Sequence, residues 1–196
     1  NFKPFYLSTN LNFNYVSQKK IFQSESLLID LLDSELLNNP NLNASINIKI
    51  DKIDKFEYLQ DFVSKIHLGD GRILMKNFNT QWNNSVLIES NEIEFINDID
   101  GKKLVGEIIF NFEDIEKFFR YFQIKRNYRD VFETIKLDFV YDLTLDKLIM
   151  NNLRIDNKSS KKIDKFLNQY NKSEINSFNK VTIRNFIKDF FLVYAG

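Results

Sequence analysis

Ala44-Ser45-Ile46-Asn47-Ile48-Lys49-Ile50-Asp51 alternates apolar and polar residues without a break, and that alternation decides the fold. Successive side chains of a β-strand point to opposite faces. A period of two therefore puts Ala44, Ile46, Ile48 and Ile50 on a dry side and Ser45, Asn47, Lys49 and Asp51 on a wet one. The same signal recurs downstream. Ile66 and Leu68 lead into Gly69-Asp70-Gly71, a tight-turn signal that predicts a hairpin into Arg72 to Phe78. Val86 and Ile88, then Ile93 and Phe95 with Glu92 and Glu94 on the other side, continue it. A turn over Asn97 to Gly101 opens Leu104, Gly106, Ile108, Phe110 and Phe112. Leu137, Phe139, Tyr141, Leu143 and Leu145 alternate again, and after Asp146-Lys147 come Leu148, Met150, Leu153 and Ile155. Upstream, Leu11, Phe13 and Tyr15 alternate with Asn10, Asn12 and Asn14, which suits one or two strands.

Helical spacing interrupts this pattern. Leu27, Leu28, Leu31, Leu32 and Leu36 follow the capping residues Ser24 and Ser26 and stop at Asn38-Asn39-Pro40, predicting a short helix. Ile115, Phe118, Phe119 and Phe122 stand at i, i+3, i+4 and i+7. Tyr128, Val131, Phe132 and Ile135 repeat that spacing, so two helices are expected in an insert over 114–135. Ile163, Phe166, Leu167 and Tyr170, then Ile183, Phe186, Ile187 and Phe190, predict two more between 160 and 195. Strands joined by short polar turns pair antiparallel, since a parallel neighbour needs a crossover of about a dozen residues. Only the stretch from Glu113 to Ile135 is taken as long enough for one. The expected fold is α+β: a long antiparallel meander, curved and partly covered by amphipathic helices, forming one domain over 1–196 or the C-terminal part of a larger protein.

Composition narrows the function. Lys plus Arg and Asp plus Glu both total 27 in 196 residues, so no global charge draws the chain to nucleic acid. Asn, Lys, Ile and Phe abound, as expected of coding DNA rich in A and T, which makes a single Asn or Lys weak evidence of function. There is no Cys, hence no disulfide and no thiolate metal site. The chain starts at Asn1 without a secretory leader and holds no run of about 18 apolar residues, and it is read as a fragment or processed form.

Few residues carry chemistry. Asp98, Asp100, Gly101 and Glu107 match positions of a calcium-binding loop, but Ile96 stands where the first carboxylate belongs, so an ordinary turn is expected. His67 is the one histidine and lacks a second ligand or a carboxylate at catalytic spacing. Gly69-Asp70-Gly71 lacks the Gly-Lys-Ser/Thr of a phosphate loop. Serines have no G-x-S-x-G elbow, and the carboxylates form no defined pair. The expected protein is not an enzyme and uses no cofactor or metal. Arg120, Lys125, Arg126 and Arg129 cluster with Tyr121, Phe122 and Tyr128, the composition of a nucleic-acid or lipid-phosphate contact, phospholipid head groups ranking first of the two; with no net charge the favoured reading is a solvated helix face with its aromatics in the core.

The chain from Asn41 to Ile155, with the segment just before it, resembles the C-terminal region of the AsmA-like proteins of the bacterial envelope. The features that carry the likeness are Leu36-Leu37-Asn38-Asn39-Pro40, Asn47-Ile48-Lys49-Ile50-Asp51-Lys52-Ile53, Leu68-Gly69-Asp70-Gly71-Arg72-Ile73, Leu137-Asp138-Phe139-Val140-Tyr141-Asp142-Leu143, and Lys147-Leu148-Ile149-Met150-Asn151-Asn152-Leu153-Arg154-Ile155. The resemblance implies a periplasmic protein anchored to the inner membrane by a part outside this chain, associated with lipid transport or outer-membrane assembly. Its sheet would curl into a groove, with phospholipid or other envelope proteins as partners. Ile46, Ile48, Ile50, Leu104, Ile108, Phe110, Leu137, Phe139 and Tyr141 would be the lipid-facing surface. The helices over 114–135 and 160–196 depart from a plain repeating sheet. The competing expectation is a structural or protein-interaction module with a closed core, no ligand and open strand edges.

Overall fold

The computed structural model describes residues 5–17, 41–54, 58–98, 101–173 and 180–196. Eight strands form one sheet in strict chain order: β1 (Phe5–Phe13), β2 (Leu42–Lys52), β3 (Leu59–Gly69), β4 (Arg72–Trp82), β5 (Val86–Asp98), β6 (Gly101–Phe112), β7 (Thr134–Asp142) and β8 (Lys147–Ile155). Among the described residues three helices accompany it: α1 (Ile115–Phe122), α2 (Lys161–Asn171) and α3 (Lys180–Ala195), with a short 3-10 turn at Arg126–Tyr128. The Leu27 to Leu36 helix expectation and Asp100 of the calcium-like loop lie outside the described residues.

From β2 to β8 every neighbour is antiparallel, and turn chemistry explains the hairpins. Asp70 and Gly71 both take positive φ, 52° and 72°, and so do Asn83 and Asn84, at 51° and 46°. Two left-handed residues in a row make the turn whose twist matches that of paired strands. Between β7 and β8 the Asp142 carboxylate accepts from the N–H groups of Thr144 and Leu145, each at 2.9 Å, and so stops β7 at Asp142. Leu143 and Leu145, expected in the strand, lie in this turn.

The expected all-antiparallel, curved sheet is corrected on both counts. β1 runs parallel to β2, so the sheet is mixed, and the required crossover falls to residues 14–41. The 113–135 stretch, expected to be the one long enough for a crossover, joins antiparallel neighbours instead. Nor does the sheet curl or close: β1 and β8 are its two outer strands and do not meet. The apolar face of β6 to β8 is filled by helices, which removes the hollow that a groove would need.

The second helix expected in the insert does not form. Gln123 takes a left-handed φ of 57° and ends α1, and Arg129 is already extended. Ile135 is held in β7 opposite Phe110 and Ile155, while the Asp156 carboxylate accepts from the N–H groups of Glu133 and Thr134 at 3.0 and 2.9 Å. Val131, which a helix stripe would bury, is 81% exposed. Strand pairing at Ile135 overrides the local spacing.

Register places Ala44, Ile66, Ile73, Phe95, Leu104, Phe139 and Met150 on one face, which carries two clusters. One, under the helices, joins Ile135, Leu137, Met150, Leu153 and Ile155 to Phe119 and Phe122 of α1, Ile163 and Leu167 of α2, and Phe190 and Phe191 of α3. The rings of Phe119 and Phe191 meet edge-on at 5.2 Å, and Trp82 meets Phe118 likewise at 5.4 Å, the geometry favoured by the ring quadrupole. The other joins Ala44, Ile66, Leu68, Ile73, Ile93, Phe95, Leu104 and Phe139. At about 1.5 to 3 kcal/mol for each large side chain, these two clusters supply the main driving force of the fold.

Candidate interaction edge

β1 is the outermost strand on the side away from the helices. Its residues pair in register with β2: Phe5 with Leu42, Leu7 with Ala44, Thr9 with Ile46, Leu11 with Ile48 and Phe13 with Ile50. Phe5, Leu7, Thr9, Leu11 and Phe13 thereby extend the apolar face by one more row. That row is uncovered: Phe5 is 62% exposed, Leu7 43%, Leu11 39% and Phe13 41%.

Its backbone is equally available. The Phe5 N–H donates to the Asn41 carbonyl at 2.7 Å, so the odd-numbered residues turn their main-chain groups toward β2. Main-chain direction alternates along a strand, and the N–H and C=O of Tyr6, Ser8, Asn10 and Asn12 therefore point to the open side. No described strand pairs there. Sheets ordinarily blunt such an edge with Lys, Pro or a bulge. Phe5 to Phe13 contains no charged residue and no Pro, and its register with β2 is unbroken.

The opposite edge shows what protection looks like in the same molecule. On β8 the Asn171 side chain at the end of α2 accepts from the Met150 N–H at 3.0 Å and donates to the Met150 carbonyl at 2.7 Å, reproducing what a neighbouring strand would offer. A register shift interrupts β8 near Asn152, which has a positive φ of 49°, and Lys147 and Arg154 add charge. Helix, bulge and charge guard β8. Among the described residues β1 has none of the three.

The nine residues expected to face lipid do share one face, but they do not line one cavity. Ile50, Leu104, Leu137 and Phe139 are buried, while Ile46, Ile48, Ile108, Phe110 and Tyr141 are half-buried. Leu137 and Phe110 pack beneath the helices; Ile46, Ile48, Leu104, Ile108, Phe139 and Tyr141 belong to the second cluster. The Tyr141 hydroxyl donates to Asp146 at 2.6 Å, and burial, reinforced by that carboxylate, pushes its pKa well above that of an ordinary tyrosine.

The basic residues divide. Arg120, Lys125 and Arg126 are exposed near the end of α1. Arg129 is tied down: its guanidinium donates to the Ile124 carbonyl at 3.0 Å and to Glu116 at 2.9 Å, and lies 5.7 Å from the Phe119 ring centre. Phe122 is buried and Tyr121 and Tyr128 are half-buried against the helix cluster, so these aromatics serve the core. His67 is half-buried on the polar face, paired with Ser45 and Leu74. Among the described residues no group of His, Cys, Asp or Glu is arranged to hold a metal ion. A shallow depression on α2 is lined by Lys161, Asp164, Lys165, Asn168, Gln169 and Lys172, and none of the nine apolar residues borders it.

No family model matches the chain, and neither curated proteins nor solved structures give a match. The resemblance to AsmA-like proteins therefore rests on the quoted motifs alone. Phe5 and Leu7 were not among the residues singled out by sequence reasoning. The signal was present as nine consecutive uncharged residues, but it acquires meaning only once the strand is known to lie at an edge.

Proposed function

We propose that this chain is a protein-interaction module that binds by strand addition along the open side of β1. The observation that carries the reading is the contrast between the two edges: β8 is capped by Asn171 and interrupted by a bulge, whereas β1 presents four outward residues and an exposed apolar row. Main-chain groups supply affinity in such a mode, and alternate side chains supply selectivity. An added strand would satisfy Tyr6, Ser8, Asn10 and Asn12 and cover Phe5, Leu7, Leu11 and Phe13.

The test is amide hydrogen exchange by NMR on the full chain, offered a library of nine-residue peptides with alternating apolar and polar residues. The expected result is a bound peptide that slows exchange at Tyr6, Ser8, Asn10 and Asn12. Ser8→Pro should abolish that protection, since it removes an outward N–H and leaves the bonds to β2 in place. Vesicles of phosphatidylethanolamine and phosphatidylglycerol are the second arm. Binding to vesicles with those four amides still exchanging freely, and no protecting peptide, would replace strand addition with a lipid surface.

A further inference from the structure

Resting on that reading, we infer that the strand added to β1 is β1 of a second copy of this chain, run antiparallel about a two-fold axis at Thr9. The sequence of the strand is the first argument. Phe5-Tyr6-Leu7-Ser8-Thr9-Asn10-Leu11-Asn12-Phe13 is close to a palindrome about its centre: Phe5 mirrors Phe13, Leu7 mirrors Leu11, and Ser8 mirrors Asn10. Antiparallel pairing centred on Thr9 sets Phe5 against Phe13, Leu7 against Leu11 and Thr9 against Thr9 of the other copy. A two-fold interface must be self-complementary in this way, the same patch serving both partners.

Backbone geometry agrees independently. Thr9 directs its main-chain groups to β2, so the Thr9 pair is a non-hydrogen-bonded one, as are the Leu7–Leu11 and Phe5–Phe13 pairs. Those are the positions where facing side chains approach most closely, and here they hold every apolar residue of the row. Ser8 with Asn10, and Tyr6 with Asn12, become the hydrogen-bonded pairs, each exchanging two N–H···O=C bonds through groups that already point outward. No charge lies anywhere along the strand, so neither copy repels the other in this register. A slip by one residue would set the apolar row of one copy against the polar row of the other. Among the described residues β1 is the one unguarded edge of each sheet, and a two-fold pairing through it uses that edge in both copies, so the assembly closes at two and does not grow into a fibre.

The absence of Cys makes the register directly readable. Facing residues in a non-hydrogen-bonded pair have Cα atoms about 4.5 Å apart, within disulfide range. Thr9→Cys should therefore cross-link to itself on mild oxidation. Leu7→Cys alone should not, because Leu7 of the two copies would lie roughly 13 Å apart, whereas a mixture of Leu7→Cys and Leu11→Cys should link heterologously. Sedimentation equilibrium of the unmodified chain should show a monomer–dimer transition, and Ser8→Pro should weaken it roughly tenfold to a hundredfold. A chain that stays monomeric across the accessible concentration range, or a Leu7→Cys homodimer formed as readily as the Thr9→Cys one, overturns the inference. If the peptides above still protect the outward amides, only the identity of the partner falls; if they do not, the edge reading falls with it.

Discussion

Arg72 reaches diagonally from β4 to Glu94 of β5, its Nε donating to the carboxylate at 2.7 Å, and this hydrogen bond holds the Glu94 carboxyl below the usual carboxylate range. A pKa lowered on folding contributes stability that is present above the unfolded value of about 4.3 and is lost as pH falls through the folded one. Both groups are partly in water, so the contribution is small. Arg72→Ala should let the Glu94 titration rise toward the ordinary range when followed by carbon-13 NMR; an unchanged titration would mean that the pair is not maintained in solution. Gly106 makes a sharper demand. A methyl group there would sit 3.0 Å from the Glu92 carbonyl oxygen and 3.0 Å from Cγ1 of Ile93, beside the register shift in β5. Gly106→Ala should cost about 1 to 3 kcal/mol by urea unfolding, because backbone rather than a flexible tip must give way. In the sequence Gly106 looked like an ordinary member of an alternating strand. Its necessity depends on a bulge contributed by Ser90 to Glu92, which no spacing announces.

At the level of elements, legibility follows the range of the interaction. The turn at Asp70-Gly71 and the helix from Ile115 to Phe122 are set by neighbours in sequence, and both were readable. The alternation of Val86 and Ile88 gives way to that of Ile93 and Phe95 in the opposite phase because Ser90, whose hydroxyl donates to the Glu92 carbonyl at 3.3 Å, holds a bulge between them. The false helix at Tyr128 to Ile135 has the opposite lesson: its spacing was real, but β6 and β8 claimed Ile135. Strand direction in β1 was not legible at all, since alternation is the same read forward or backward. α1 is anchored by a buried ring, and Phe119→Ala should cost about 3 to 5 kcal/mol, measured by denaturant unfolding. Asn171→Ala should cost about 1 to 3 kcal/mol, because it leaves the Met150 N–H and C=O without their side-chain partner. It should also speed exchange at the Met150 amide; protection retained there would show that the cap is dispensable.

For the whole molecule, the dry face was visible in Ile46, Leu104 and Phe139, whereas its enclosure was not. Covering a sheet depends on where helices land, and Leu167 or Phe191 carries no address in its own stripe. The curl came from family likeness rather than from any residue, and the eight-strand row does not support it. A dimer joined at β1 ties stability to mass action. The thermal midpoint of the chain should rise with protein concentration, and that of Ser8→Pro should begin to rise only at correspondingly higher concentration; equal midpoints across a hundredfold range for the unmodified chain would show that no coupled association occurs. The solitary parallel pair also bears on assembly. The links between β2 and β6, and that of β7 with β8, are short in sequence, and the β6–β7 link is shorter than residues 14–41, which β1 must span to reach its neighbour. Closing that span costs only a few tenths of a kcal/mol more than closing the β6–β7 link, so what sets β1 apart is its place at the sheet edge, held by a single neighbouring strand. Until β1 arrives, β2 is itself an unfilled edge, and the first β1 to reach it can come from another chain. The same architecture that leaves an open edge on the finished protein thus offers a route to exchanging the edge strand itself, so that crowded refolding should yield intertwined pairs where dilute refolding yields simple ones.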